Sequence, residues 1–531
     1  MALLKNRRWS VIYVFFCLIL VVNFYYACSR SPRRKKFIAP IEKIIRLDST
    51  KIGVSTILPD LNVPWEITWG PDDQIWFTEQ SGTISKVDPY TGVKKILLNM
   101  QEVYRRRTLG LLGMAIYPDR KQHYLFVDYT YKKKDSMLVS RLVRYTYTAD
   151  TLKDPLILAE IAANNGHNGS RIAVSPDGKV IWATGDAAKN SNAQDISSLN
   201  GKTLRLNIDG SIPKDNPVAG SPIWSRGHRN IQGLVFTPKG ILFSSEHGDA
   251  TDDELNIIKK GGNYGWINVA GYCDLPDERR YCDSTPIIEP VKAWTPTIAP
   301  SGIDYYHSDK IPEWNNAILM ATLKASGFRV LRLNKEENAV ISEKIYFQNQ
   351  FGRLRDICVS PAGDIYISTS NRDWNPLGVP KQHDDRIIRI SKISDLDNLS
   401  QVTLTNDSTD YASGVAPSPA PLSGGVAIYA GYCASCHKQN GSGEPGTFPA
   451  LRKNPRVTGD KKILTTIVLK GAKAIRPDVK NQYDKGERMP AFGFLNDRQI
   501  ADALTYIRSS WGNNADSVGA EEIKGIRKKL K

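Results

Sequence analysis

The sequence predicts an all-β domain built as a six-bladed β-propeller and, after it, a small all-α domain, with a signal or anchor segment in front of both. Three observations carry this. A P-x-x or P-x-G turn followed by an apolar strand recurs six times, in GPDDQIWFTEQSG, YPDRKQHYLFVDYTY, SPDGKVIWATGD, TPKGILFSSEHGD, IPEWNNAILMATLKASG and SPAGDIYISTSNRD. The stretch 396–422 is rich in Ser, Thr, Pro and Gly and poor in large apolar residues. Beyond it, GYCASCHKQNGSG lies between segments of helical spacing. A chain of 531 residues has room for several domains, at about 100–200 residues each.

Residues 1–28 read as a targeting segment. KNRR precedes the apolar run WSVIYVFFCLILVVNFYYA, and Cys28 follows it. Ala27 fits a lipoprotein cleavage site and Tyr25 fits it poorly, so a lipidated Cys28 and an uncleaved helix both stand. The run is just long enough to span a bilayer. Either choice expects the bulk of the chain outside the cytoplasm, in the periplasm. Residues 29–48 are basic and polar and read as a tether.

Residues 49–395 hold the six repeats at roughly blade spacing. Four-stranded blades around an axis bury each sheet face against the next. A β-sandwich does not need so long a period. The residues that end the repeated strands, Glu79, Asp186, Glu246, Lys324 and Asn371, are polar and are expected to converge on one mouth of the central channel. Residues 396–422 read as an extended linker. In 423–512, GGVAIYAGYCASCH is expected to open the second domain as a short amphipathic helix, and DRQIADALTYIRSSWG to close it as another. Residues 513–531 read as a basic tail.

The formal charge of +16 does not point to nucleic acid. Much of the excess sits in KNRR, in Arg30 and Arg33–Lys36, and in IRKKLK, none of it in a groove-reading motif; such arms near an anchor suit anionic lipid. Arg105, Arg106 and Arg107 read as a solvated loop. Seven cysteines are too few for a disulfide scaffold. Cys273 and Cys282 bracket DLPDERRY and can pair in an oxidising compartment, although spacing does not fix connectivity. Cys358 reads as a buried strand residue.

Cys433, Cys436 and His437 form C-x-x-C-H, the attachment motif of haem c. The thiols add to the haem vinyls and His437 is placed to ligate iron. Met489, in GERMPAFG, supplies a thioether for the opposite side, the pair that raises the potential of a cytochrome c. The second domain is therefore expected to be a cytochrome c domain that moves single electrons.

The propeller carries WGPDDQIWFTE, GLLGMAIYPD, LRLNIDGSIPKDNP, GHRNIQGLVFTP, SEHGDATDDELNIIKKGGNYGWINVAGY and GRLRDICVSPAGDIY, in that order. Over about 55–392 it resembles the soluble quinoprotein glucose and aldose sugar dehydrogenases, which use pyrroloquinoline quinone (PQQ) and calcium. The resemblance implies that His167, in NNGHNGSRIAV, is the base for the sugar hydroxyl, with Asp186 orienting it. It implies that Arg229 stabilises charge on the cofactor, with Asn230 and Gln232 beside it. Lys324, Arg353 and Arg355 match further cationic contacts, and Thr297 a weaker one; Arg-x-Arg on a strand places both side chains on one face. Gly248 and Asp249 match main-chain ligands of a catalytic calcium, where the family often has Pro at the second position. Glu254 and Tyr264 match a structural calcium site, with Ala270, Tyr272 and Asp274 near it. His228 is expected to pack.

Two positions stand apart. Thr108, in RRRTLGLLG, replaces a longer polar amide of the glucose dehydrogenases. Trp294 has two readings, stacking on a sugar and packing in the core. The expected function is aldose (or polyol) oxidation at the anomeric carbon, hydride to PQQ, then electrons through haem c to a downstream cytochrome or terminal oxidase. The alternative is a non-enzymatic carbohydrate-binding propeller fused to an electron-transfer cytochrome.

Overall fold

The computed structural model describes residues 39–119, 121–374, 379–393, 404–405, 408–412, 424–471 and 489–530. The N-terminal segment with Cys28, and the linker apart from two short pieces, lie outside the described residues. So does the lipid-or-helix choice at Cys28.

Six antiparallel sheets form a ring. The strands Pro64–Trp69, Leu111–Ile116, Gly169–Val174, Ile231–Phe236, Pro300–Tyr306 and Leu354–Val359 are the innermost of blades one to six. Each packs beside the next, and the sixth returns to the first. All six turns read from the sequence join this inner strand to the second strand of the same blade. In three of them Gly178, Gly240 and Gly363 sit at φ of 74°, 78° and 77°, where a side chain is strained; this is why those turns end in glycine.

A separate apolar core fills each of the six interfaces between neighbouring blades. Trp76, Trp182 and Trp314 are fully buried in them. Cys358 lies buried on its strand, as expected. Trp294 is also buried in a core, where its indole N–H donates to Glu343, so it is no platform for a sugar.

The ring closes through a segment that the sequence reading placed partly outside the domain. Lys51–Leu58 pairs with Ile387–Lys392 as the fourth strand of blade six, and Lys43–Arg46 adds a fifth strand beside it. The expected tether thus ends earlier than residue 48, because Ile44 and Ile45 are almost wholly buried. The expected extended linker also contains strands: Leu404–Thr405 pairs with 44–45, and Ser408–Ala412 with Val340–Tyr346. Sheet-edge pairing uses main-chain groups and needs no large apolar side chain.

Deep in the ring, Arg171 from blade three ties Glu66 of blade one to Asp356 of blade six; its Nη1 is 2.9 Å from Asp356 Oδ1. The guanidinium also lies over Trp65. Removing one partner from such a buried pair typically costs about 3–5 kcal/mol, because the other charges stay desolvated. We expect Arg171→Met to destabilise the propeller by this amount, read as a lower urea midpoint of tryptophan fluorescence; an unchanged midpoint contradicts the account of this knot.

The second domain packs the helices Gly425–Tyr432, Lys461–Lys470, Asp497–Ser509 and Ala520–Leu530 around Ile428, Leu464, Ile500 and Leu504. Asn496 and Gln499 form a capping box at the start of the long helix. Two expectations change here. The first helix, GVAIYAGY, has no charged residue and is apolar throughout rather than amphipathic. The basic tail is largely a helix: Ile523 is fully buried against the core, and Arg527 bonds Asp497 and the Gly493 and Leu495 carbonyls.

Candidate active site

The start of each inner strand and the end of the second strand beside it meet at one mouth of the ring, and the polar residues there form a funnel. His167, Arg229, Asn230, Gln232, Gly248, Asp249, Thr297, Lys324, Arg353 and Arg355 line it, together with Thr108. Seven separate stretches of the sequence are brought together in this way.

His167 stands just before the inner strand of blade three with φ 51°. Its carbonyl accepts the amide of Ala187 at 2.8 Å. Gly185 lies against the same carbonyl, and a Cβ there would sit 2.1 Å from it, so only glycine lets the histidine loop close. The imidazole Nδ1 is 2.8 Å from Asp186 Oδ1. Asp186 is fully buried; its Oδ1 also accepts the Ala188 amide and its Oδ2 the Trp266 indole N–H at 2.8 Å. A carboxylate so placed accepts the Nδ1 proton and fixes the tautomer whose Nε2 can take a proton.

Arg229 is held from several sides. Its amide donates to Glu246, its carbonyl accepts the Asp186 amide, and its guanidinium lies 5.4 Å from the Trp266 ring and 3.2 Å from Asp249 Oδ1. His228 packs behind it, fully buried, between Glu246 at 2.9 Å and Ser225 at 2.8 Å. Lys324 Nζ donates to Thr297 Oγ1 at 2.6 Å; burial holds its pKa down, partly offset by Asp253. Arg353 and Arg355 face Asp373, and burial pushes Arg353 down to about 10.

Several functional residues escaped the sequence reading. Asp373 and Trp374 follow the second strand of blade six, where Asp373 closes the sixth repeat, and Trp266 sits in an irregular loop within a run quoted for the resemblance; the pattern alone assigns none of them a role. His247 lines the funnel in the run SEHGD, and its pKa is pushed down to about 3 by desolvation and then by Arg229 and Arg355, so it is neutral. His247 Nε2 and Arg229 Nε are buried with no hydrogen-bond partner in the protein. Unspent donors beside desolvated cations fit a polyanionic planar ligand such as the tricarboxylate quinone.

The residues matched to the structural calcium site lie outside the funnel. Glu254 faces Glu246 across two paired strands, and burial followed by Glu246 raises its pKa well above the usual carboxylate range. It accepts the Gly271 amide at 2.8 Å, in the turn that holds Ala270, Tyr272 and Asp274. The Tyr264 hydroxyl is committed to the Ile257 carbonyl and the Lys259 amide, which leaves its main chain for any cation. Among the described residues no three His, Cys, Asp or Glu side chains cluster as metal ligands, so a calcium bound here would need main-chain oxygens as well. A disulfide joins Cys273 of this turn to Cys282 of the helix Pro276–Ser284 that follows.

In the helical domain His437 is buried and its Nδ1 lies 2.9 Å from the Pro449 carbonyl. That bond fixes the ring and leaves Nε2 as the nitrogen that would ligate a haem iron. Met489 packs at the edge of the core that contains Phe492 and Leu464. The residues present fit haem c.

The two sites are contiguous. Ser435 and Cys436 of the attachment motif line the same funnel as His167 and Arg229. Lys324 Nζ also donates to the Gly431 carbonyl at 2.6 Å. Arg107 is no solvated loop residue: it lies against both Trp374 of the propeller and Phe448 of the helical domain.

Residues 61–377 match the family model "Glucose / Sorbosone dehydrogenase". The chain belongs to this family. Residues 423–511 match the cytochrome c model, so this glucose/sorbosone dehydrogenase family member is an oxidoreductase fused to a cytochrome c domain. It is 32% identical over 411 residues to quinoprotein glucose dehydrogenase B of Acinetobacter calcoaceticus, spanning 60% of this chain and 86% of that one. The PQQ-bound aldose sugar dehydrogenase of Streptomyces coelicolor superposes with a TM-score of 0.56 at 32% identity, over 65% of this chain and 99% of the other. The haem domain is 39% identical over 108 residues to the gluconate 2-dehydrogenase cytochrome c subunit of Pantoea cypripedii, covering 20% of this chain and 24% of that subunit.

Proposed function

We propose that this family member oxidises an aldose, or a related polyol, at a CH–OH carbon in the funnel and passes the electrons to its own haem domain. The observation that carries the reading is the His167–Asp186 pair on the wall of a cationic funnel that also contains Cys436.

When bound, PQQ supplies a two-electron hydride acceptor and haem c a one-electron relay. His167 Nε2 takes the hydroxyl proton while hydride leaves the same carbon, the anomeric one in an aldose, giving a lactone. Asp186 steadies the imidazolium that results. Arg229 would stabilise charge that develops on the cofactor, and Lys324, Arg353 and Arg355 would hold its carboxylates. Gly248 and Asp249 would offer main-chain carbonyl oxygens to a catalytic calcium, and Glu254, with Tyr264 and the 270–274 turn, would hold a second one. Thr108 Oγ1 is 3.0 Å from the Asn165 carbonyl, so its hydroxyl is already engaged within the wall and is a poor sugar contact.

The Cys273–Cys282 disulfide, the haem motif and the N-terminal apolar run support a periplasmic, membrane-anchored location. The likeness of the haem domain to a dehydrogenase cytochrome subunit supports delivery to a downstream cytochrome or oxidase. The retained pair and cations weigh against a non-catalytic carbohydrate-binding propeller.

The test is reconstitution with PQQ and calcium, then a panel of aldoses with an artificial dye. We expect turnover with at least one aldose, and loss of both turnover and bound PQQ on chelation of calcium. A protein that binds PQQ and oxidises none of the sugars contradicts this reading.

A further inference from the structure

The helical domain meets the propeller at the rim of the funnel, and Arg107 makes several of the contacts there. The Arg107 guanidinium lies 4.8 Å from the Trp374 ring and 5.6 Å from the Phe448 ring, whose centroids are 6.1 Å apart. Its Nη1 donates to Thr447 Oγ1 at 3.2 Å. Arg107 has φ 54°, and its carbonyl accepts the Gln80 side-chain amide at 2.7 Å, so the loop presents it in one direction. A half-buried guanidinium packed against two aromatic rings that also touch each other makes a favourable cation–π contact, and a lysine cannot reproduce its planar fork. Phe448 directly precedes Pro449, whose carbonyl orients the His437 ring. The clamp is thus one residue away from the group that sets the haem ligand.

We propose that Arg107 is a positioning residue for electron transfer: it clamps the haem domain over the funnel through Trp374 and Phe448, and takes no part in oxidising the sugar. This rests on the proposed function for its electron source. It also gives the RRRT loop a use of its own. At the step where relatives are expected to carry a long amide toward the sugar, this chain has a short Thr108 and turns the preceding arginine outward to hold a second domain. The helical domain has its own apolar core, so letting go of the rim costs it little internal packing. The docked population therefore depends on a few rim contacts, and losing the strongest shifts it measurably.

The test compares full-length holoprotein with its Arg107→Ala and Arg107→Lys variants. Stopped-flow reduction of the haem α-band after mixing with sugar is expected to slow at least about tenfold in Arg107→Ala, equivalent to about 1.4 kcal/mol of docking. Turnover with an artificial dye, which takes electrons directly from the funnel, is expected to stay within about twofold. Small-angle scattering without sugar is expected to show a larger maximum dimension, and Arg107→Lys to behave more like Arg107→Ala than like wild type. Haem reduction and scattering both at wild-type values overturn the proposal. So does a parallel fall in dye turnover, which would place Arg107 in the sugar site. If no sugar is oxidised even by the wild type, the proposed function fails, while the scattering comparison still decides the clamp.

Discussion

Replacing His167 with Asn is expected to lower dye-linked turnover by about 10²–10⁴-fold, the usual contribution of a positioned general base. Asn keeps a polar side chain of similar length near Asp186, and the loop remains held by the Ala187 amide and by the close approach of Gly185, so the fold should survive. What is lost is, among the described residues, the only imidazole in the funnel with a buried carboxylate behind it. His247 cannot replace it, since burial, and after it Arg229 and Arg355, disfavour any proton it takes. Asp186→Asn should give a smaller loss, because the base remains but its tautomer and its stabilising charge do not. Bound PQQ and the thermal unfolding midpoint should change little in His167→Asn. A variant with near wild-type turnover removes His167 from the chemistry.

Changing Cys433 and Cys436 together to Ser is expected to abolish every electron path from sugar to the downstream acceptor. Covalent haem should be absent from a denaturing gel stained for peroxidase activity, and sugar-driven oxygen uptake by membranes should fall to background. Dye-linked turnover should remain within about threefold of wild type, because the dye bypasses the haem and the six propeller cores do not depend on the helical domain. The contrast separates the two halves of the account. If oxygen uptake survives without haem, electrons leave the funnel by another route and the fused domain has a different purpose.

Much of the architecture was legible because it depends on local chemistry. All six turns carry a Pro and three end in a glycine at positive φ, so the repeat shows in the letters. The attachment motif needs two cysteines and a histidine at fixed spacing. Ring closure was not legible: Lys51–Leu58 finds its partner more than three hundred residues later, and nothing in its own pattern names Ile387–Lys392. The strands at 404–412 were hidden for a related reason, since pairing at a sheet edge leaves no side-chain pattern to read.

The site divides in the same way. His167, Asp186, Arg229 and the cationic residues sit in runs shared with the family. Asp373 and Trp374 follow a strand where the pattern alone assigns them no role, and they matter because the ring carries them to the mouth beside Arg353 and Arg355. Arg107 looked like one of three solvated arginines; two of them are exposed, and only the docked second domain sets the third apart. A contact between domains that are hundreds of residues apart cannot be inferred from either segment alone.

The central claim is that a quinone in the funnel takes electrons from a sugar and that the adjoining haem receives them. The most direct measurement is anaerobic mixing of the PQQ- and calcium-loaded full chain with each of a panel of aldoses, watching the α-band of its own haem with no other acceptor present. The account predicts that at least one aldose reduces the haem, and that the same protein without PQQ gives no change. Haem that stays oxidised with every aldose, yet is reduced at once by dithionite, contradicts it.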